Sequence, residues 1–271
     1  VYLVGSWDHP GPLVAIVGAR DATDDGIDVA RELARALAVQ GIGIVSGLAR
    51  GIDAAAHQGA LGAGGASGAV LGTSLDEIYP REHASLQRTL SRSLGLMSEI
   101  APGAPATKGT FATRNRILAA IADAVLVVQG RPGSGSLITA REALRLGRPV
   151  GALPWDSREP LGEASHELIH AGKARLVRHA EDVLDLLGMA ADARGAEAHR
   201  SRVTPIEVEN LPPHEAALYR ALRERPRSLD YLAAAASLTA AELGAALLAL
   251  ELNGLARRAP GGLARRSRRR P

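Results

Sequence analysis

Cysteine is absent from the sequence. That excludes disulfides, thiolate chemistry and cysteine-based zinc sites, and it is compatible with the cytoplasm, the expected location. Aromatic residues are few, and Phe111 is the only phenylalanine. No apolar run is long enough to span a bilayer, and the opening Val1-Tyr2-Leu3-Val4 lacks the basic segment of a signal peptide, so no membrane partner is expected. Three nucleotide and hydrolase signatures are missing as well. No Gly-x-Gly-x-x-Gly follows the first strand, which argues against a dinucleotide cofactor. There is no Gly-x-x-x-x-Gly-Lys-Ser/Thr phosphate loop and no Gly-x-Ser-x-Gly nucleophile elbow. No cofactor is expected.

What is present is a globular composition. The chain has 271 residues, 46% of them hydrophobic, enough for one or two domains with a substantial core. The net charge of +3 hints at a polyanionic partner and becomes informative through where the arginines stand. Apolar runs predict strands at 13–17, 42–45, 69–71, 95–98, 124–128 and 150–153. Amphipathic stretches predict helices at 24–39, from the glycine turn to about 61, and at 83–93, 112–122 and 136–146. Strands alternating with helices imply right-handed crossovers and a doubly wound, mostly parallel α/β sheet. Ligands of such sheets bind beyond the carboxyl ends of the strands.

Those ends carry a consistent chemistry. Arg20 follows the first strand; Ser46, Gly47 and Arg50 follow the second; Gly72-Thr73-Ser74 and Tyr79-Pro80-Arg81 follow the third. After the fourth come Lys108, Phe111, Arg114, Asn115 and Arg116, and after the fifth Ser134, Gly135 and Ser136 open a helix. Cations and unpaired first-turn N–H groups suit phosphate, and an aromatic ring suits a base. Any one of these residues alone reads as an ordinary surface cation or helix cap; their convergence on one edge does not.

Two other motifs need a reading. Asp53 and His57 stand four apart on a helix and are placed to pair, in an orienting or capping role. His166-Glu167-Leu168-Ile169-His170 fits the zinc-peptidase pattern His-Glu-x-x-His. The segment is short, has no clear third ligand, and stands at the edge of a parallel sheet, so no metal is expected there.

Four stretches together resemble the DNA-processing protein A family, also called Smf or DprA. They are Ser46-Gly47-Leu48-Ala49-Arg50-Gly51-Ile52-Asp53 through His57, Val70-Leu71-Gly72-Thr73 through Tyr79-Pro80, Arg114-Asn115-Arg116-Ile117, and Ser134-Gly135-Ser136-Leu137. The likeness runs from about residue 13 to 187. It implies a Rossmann-like domain that binds single-stranded DNA without sequence preference. It also implies a homodimer that hands incoming DNA to the RecA recombinase in natural transformation, with no catalytic residues. Carried over, the DNA pocket uses Arg20, Arg81, Lys108, Phe111, Arg114 and Asn115, with phosphate at the turns of Ser46, Gly47 and Arg50 and of Ser134, Gly135 and Ser136. The dimer contact falls around His166, Ile169 and Leu176. The chain departs from the family pattern with Ala19 for serine, His83 for asparagine, Phe111-Ala112 for Phe-Pro, Pro154-Trp155 for Pro-Gly, and Ala164-Ser165-His166 for Gly-Thr-Asn. A competing reading is a Rossmann-like phosphoribohydrolase acting on nucleotides. It wants Pro-Gly-Gly-x-Gly-Thr followed by a glutamate, and here Glu142 is displaced from Pro132-Gly133-Ser134-Gly135.

Past residue 187 the character changes. Residues 188–210 read as a linker, and residues 211–271 as a small unit of three helices and a hairpin with a basic tail, resembling the C-terminal winged-helix domain of some family members. Thr239 and Glu242 form a capping box for the third helix. That helix carries glutamates and no cation or amide, which makes base reading in a major groove improbable. Arg257, Arg258, Arg265, Arg266, Arg268, Arg269 and Arg270 suit sequence-blind contact with phosphates or with a protein.

Overall fold

Alternate residues of the first long strand feed two different apolar layers. In a computed structural model, which describes residues 1–189, 211–223, 226–253, 255–259 and 262–266, strand β2 (Leu13–Val17) turns Val14 and Ile16 to one core and Ala15 and Val17 to another. A strand covered on both faces needs an unbroken apolar run, which is what the sequence shows there. The side chains of Lys108, Ala259 and Arg265 lie outside the described residues.

The chain divides into two compact units, Val1–Ala193 and Arg194–Pro271. The first holds an eight-stranded sheet built from β1 (Tyr2–Val4), β2, β3 (Gly43–Ser46), β4 (Ser67–Val70), β5 (Gly95–Ser98), β6 (Ala124–Val127), β7 (Val150–Ala152) and β8 (Arg175–Leu176). Their order across the sheet is β1-β5-β4-β3-β2-β6-β7-β8. All neighbours are parallel except β1, which pairs antiparallel with β5 through Leu3 opposite Met97. The doubly wound, mostly parallel reading thus stands. Strand β1 and the two-residue β8 escaped it, because neither is long enough to show a period.

Helices α1 (Asp24–Val39), α2 (Ile52–Gly62) and α7 (Ala180–Leu186) cover one face. Helices α4 (Lys108–Ile121), α5 (Gly135–Arg145) and α6 (Glu163–His170) cover the other. Helix α3 (Ala84–Arg92) seals a small cluster of Leu48, Ala69, Leu71, Leu90 and Leu96. Helix α1 starts where the sequence says it should: the Thr23 side chain accepts from Gly26 N–H at 3.1 Å, and Asp24 and Asp25 occupy the first turn. Helix α4 begins one turn before the expected residue 112, since Thr107 and Thr110 form a reciprocal cap in which each side chain bonds the other's backbone. That extra turn carries Lys108 and Phe111 to the sheet's carboxyl edge. The order of the chain reverses between β2 and β6, the place where doubly wound sheets open a crevice.

Near the far edge, the Trp155 indole donates to Val128 O at 2.5 Å, and the His166 ring lies 3.3 Å from Trp155 N and 3.1 Å from Trp155 O. His166 therefore clasps the loop after β7 to α6.

The second unit packs α8 (Pro213–Ala221), α9 (Leu229–Ala236) and α10 (Ala240–Leu252) around Leu218, Leu222, Leu232, Leu243, Leu247 and Leu250. A three-stranded sheet accompanies them: β9 (Arg227–Ser228), β10 (Ala256–Ala259) and β11 (Leu263–Arg266), in the order β10-β11-β9. This is a winged helix. Ser228 caps α9, the Thr239–Glu242 box caps α10 as expected, and α8 ends at Ala221. The linker reading from residue 190 onward and the arginines at 268–270 lie outside the described residues.

Replacing Thr107 by Ala removes the half of the α4 cap that its side chain accepts from Thr110 N–H and leaves its backbone N–H bonded to the Thr110 hydroxyl. The expected loss is about 1 kcal/mol of unfolding free energy, read by urea denaturation. A change below ~0.3 kcal/mol would mean that packing alone sets the start of α4.

Candidate nucleic-acid interface

Gly47 stands at the centre of the strand ends, and its peptide group is held from both sides. Its N–H donates to Asp53 Oδ2 at 3.1 Å, and the Ala49 N–H donates to the same oxygen at 3.3 Å. Its carbonyl accepts from Arg114 Nη1 at 2.9 Å, and the same nitrogen also donates to Val70 O. A Cβ at position 47 would fall inside the Arg114 guanidinium, so this close approach requires glycine. Asp53 and Arg114 are each only 6% exposed. Burial raises the Asp53 carboxyl above the usual range, opposed by the charge of Arg114 and by the Ala49 and Gly47 N–H groups. Burial also draws the Arg114 guanidinium down to about 10, opposed by Asp53 and reinforced by Arg20. Arg114 therefore remains charged near neutrality.

The loop that follows is held at further points. Leu48 adopts φ +58° with its side chain buried, and its carbonyl lies 3.0 Å from His83 Nδ1. A left-handed leucine costs on the order of 1–2 kcal/mol, which the buried side chain and the carbonyl contact offset. Ile52 N–H reaches back to Ala19 O at 3.2 Å, joining the loop to the end of β2.

Around this frame opens a cleft of about 200 Å³. It is lined by Arg20 and Asp21 after β2, Gly47 through Arg50 after β3, Leu71 to Thr73 with Tyr79 and Pro80 after β4, and Phe111 and Arg114 of α4. Phe111 is half-buried. Its ring centroid lies 5.1 Å from that of Tyr79 at 54°, and the Arg20 guanidinium stands 5.8 Å from it. Gly72 leaves room for the ring, since a Cβ there would strike it. Arg20, Arg50 and Arg81 are exposed, and Arg50 pairs with Glu82 on the short helical turn Arg81–His83. Lys108 is the first residue of α4.

The predicted residues thus divide. Arg20, Gly47, Arg50, Phe111 and Arg114 meet in one cleft, and Arg81 follows directly on Pro80 at its rim. Ser46 is fully buried and spends its hydroxyl on Ile16 O at 2.6 Å. Asn115 accepts from Arg114 Nε at 3.0 Å and donates to Gly135 O at 3.1 Å. Ser134 and Ser136 bond each other at 2.7 Å. Ser134, Gly135 and Ser136 are not among the lining residues and connect to the cleft through Asn115. These groups, with Arg114, shape the site from behind. Leu48 and Glu82 were missed as contributors, and Tyr79 was placed at the strand ends without being counted in the pocket; a lone Arg-Glu step carries no sequence signal of what lies across the loop.

Asp53 and His57 do not pair with each other. The Ser67 hydroxyl donates its one proton to Ile44 O at 2.8 Å, so the 2.8 Å contact with His57 Nδ1 must be donated by the imidazole. His57 Nε2 is buried with no hydrogen-bond partner, and burial pushes the ring down to about 3, reinforced by the charges of His83 and Arg114. It is a neutral core histidine. In the His-Glu-x-x-His segment, His166 is spent on Trp155 and His170 is exposed at the end of α6. Among the described residues no three His, Cys, Asp or Glu side chains stand together in an arrangement suited to a metal. Leu176 is exposed on the edge strand β8, and Ile169 packs partly against the core.

A Rossmann-like unit with a cation-rimmed, aromatic-floored cleft at its strand ends, accompanied by a winged helix, is the class that fold and site define. The sequence profile described as DNA recombination-mediator protein A matches residues 1–188, and that of the DprA winged helix domain matches residues 204–262. The chain belongs to the DNA-processing protein A (DprA/Smf) family. It is 36% identical to Protein Smf of Escherichia coli over 97% of this chain and 74% of that one. Its identity to DNA processing protein DprA of Streptococcus pneumoniae is 40% over 64% of this chain. The solved structure of the pneumococcal protein superposes with a TM-score of 0.62 over 65% of this chain, which spans 61% of that one. A structure concerned with the single-stranded DNA binding mode of DNA processing protein A from Helicobacter pylori gives a TM-score of 0.61 at 33% identity, covering 69% of this chain and 85% of that one.

The buried imidazole makes stability depend on pH. A His with an ordinary value of 6.5 held at about 3 binds fewer protons folded than unfolded between those limits, so stability falls as pH drops through that window. The expected slope from His57 is about 1.4 kcal/mol per pH unit. Urea denaturation at pH 7, 6 and 5 should show it in the wild type, and a His57→Gln variant should be flatter by about that amount.

Proposed function

We propose that this protein binds single-stranded DNA without sequence preference, in the cleft between the ends of β2, β3 and β4 and the start of α4. The observation that carries the proposal is the meeting of Arg20, Arg50 and the Phe111–Tyr79 pair around one opening. Arginines contact phosphate and carry no base information. An aromatic face accepts any base, worth about 1–3 kcal/mol per stacked base. A strand whose bases are free to leave a stack offers both partners together, whereas a duplex hides the faces. Lys108, at the positive end of the α4 dipole, adds to the attraction, and Arg81 extends it along the rim.

The family supports the wider reading: a homodimer that delivers the strand to the RecA recombinase during natural transformation, in the cytoplasm and without catalysis. Among the described residues no single helix is long and apolar enough to cross a membrane. The dimer contact proposed is the edge formed by α6 and β8, where Leu176 is 45% exposed. In that arrangement His166 acts from inside its own subunit, holding Trp155, and Ile169 and Leu176 face the partner. The hydrolase reading is weaker. Glu142 lies two turns into α5, paired with Arg145 at 2.9 Å, and is not among the residues lining the cleft.

Arg20→Glu combined with Lys108→Glu should abolish binding of labelled oligothymidylate in fluorescence anisotropy at moderate salt. Unfolding free energy should stay within ~0.5 kcal/mol of wild type, as for surface substitutions. Undiminished binding would refute the site, and release of free base from nucleoside monophosphates would favour the hydrolase.

A further inference from the structure

One acid stands among these cations in a position that packing does not require. Arg50 Nε is paired with Glu82 Oε1, and the two side chains are 65% and 50% exposed. Arg50 lines the cleft, and Glu82 lies two residues beyond Pro80, which lines it from the opposite loop. The pair therefore bridges the two loops across the cleft's mouth. Its ends are held in register from below, because His83, on the same short turn as Glu82, contacts the carbonyl of Leu48, two residues before Arg50. Glu82 is thus presented to Arg50 by backbone that is itself fastened to the arginine's own loop. An exposed ion pair of this kind contributes little to stability, about 0–1 kcal/mol, so its effect falls on what Arg50 is free to do.

We infer that Glu82 is a resident stand-in for phosphate, occupying Arg50 until a polymeric strand displaces it, and that it sets the site's preference for a strand over a lone anion. The inference rests on the reading of the cleft as a single-strand site. A free phosphate or mononucleotide brings one anion, gains little by exchanging it for the carboxylate already present, and then leaves an unpaired acid beside it. A strand brings further phosphates to Arg20 and Arg81 in the same event, and those contacts make the exchange favourable. The carboxylate costs the strand some affinity and costs single anions most of theirs.

The test is a two-by-two cycle of wild type, Glu82→Gln, Arg50→Ala and the double variant, titrated with labelled oligothymidylate and with thymidine monophosphate over a range of salt. Glu82→Gln should tighten oligonucleotide binding roughly 1.5- to 5-fold, the release of one exposed ion pair. It should leave the dependence of log affinity on log salt nearly unchanged, since Arg50 meets a phosphate in both complexes, and make monophosphate binding measurable. In the Arg50→Ala background the same substitution should have no effect on affinity, which separates release of Arg50 from a general reduction of negative charge. Equal affinity for wild type and Glu82→Gln, or a gain that persists without Arg50, would overturn the inference while leaving the cleft's function intact. Failure of the wild type itself to bind the oligonucleotide would overturn both.

Discussion

A carboxyl group and a guanidinium gripping one peptide group from opposite sides set the geometry of everything at the sheet's carboxyl edge. Asp53 draws the Gly47 N–H from below while Arg114 holds its carbonyl, and neither group is open to water. Taking two such groups out of solvent is costly, and a buried pair is weak evidence of stability in its own right. Its value lies in direction. With the Gly47 peptide fixed, Leu48 is driven into the left-handed region, its side chain drops into the cluster under α3, and Arg50 emerges on the cleft side. The same guanidinium reaches Val70 O and Asn115, tying β4 and the start of α5 to the loop after β3. Three crossovers are thereby referred to a single point.

This separates residues that build the site from residues that face out of it. Ser46, Asp53, Arg114, Asn115 and Ser136 are buried and bonded to the protein. Arg20, Arg50 and Arg81 are exposed. A motif with a fixed spacing does not distinguish the two kinds, because both are constrained by the same loop. On this division the contacts with a strand fall to exposed cations and to the Phe111–Tyr79 rings, and the inner groups keep the backbone from closing over the opening.

Much of the architecture is legible from the sequence because parallel strands buried on both faces leave unbroken apolar runs, and caps such as Thr23 leave a local signature. The edges are not. Strand β1 is defined by its pairing with β5, and β8 by its pairing with β7, and neither partner is implied by a short segment alone. At the site, the strand-end rule brought Arg20, Gly47, Arg50, Phe111 and Arg114 together, since topology alone decides which loops meet. Exposure was not readable: Arg114 and Arg20 look alike on paper and differ only in the carbonyls that happen to surround one of them. The pairing of Asp53 with His57 failed for a related reason. Helical spacing makes contact possible, but each found a better-placed partner off the helix, in Gly47 and Ser67.

Two departures from the family pattern, at Trp155 and at His166, touch each other across the loop after β7. Gly162 fits between them only because it has no side chain; a Cβ there would crowd the Cβ of Trp155 and the ring of His166. Any residue but proline at 155 offers the backbone N–H and carbonyl that the imidazole contacts, so His166 keeps its footing whichever other side chain stands there, while the indole is anchored separately on Val128 O.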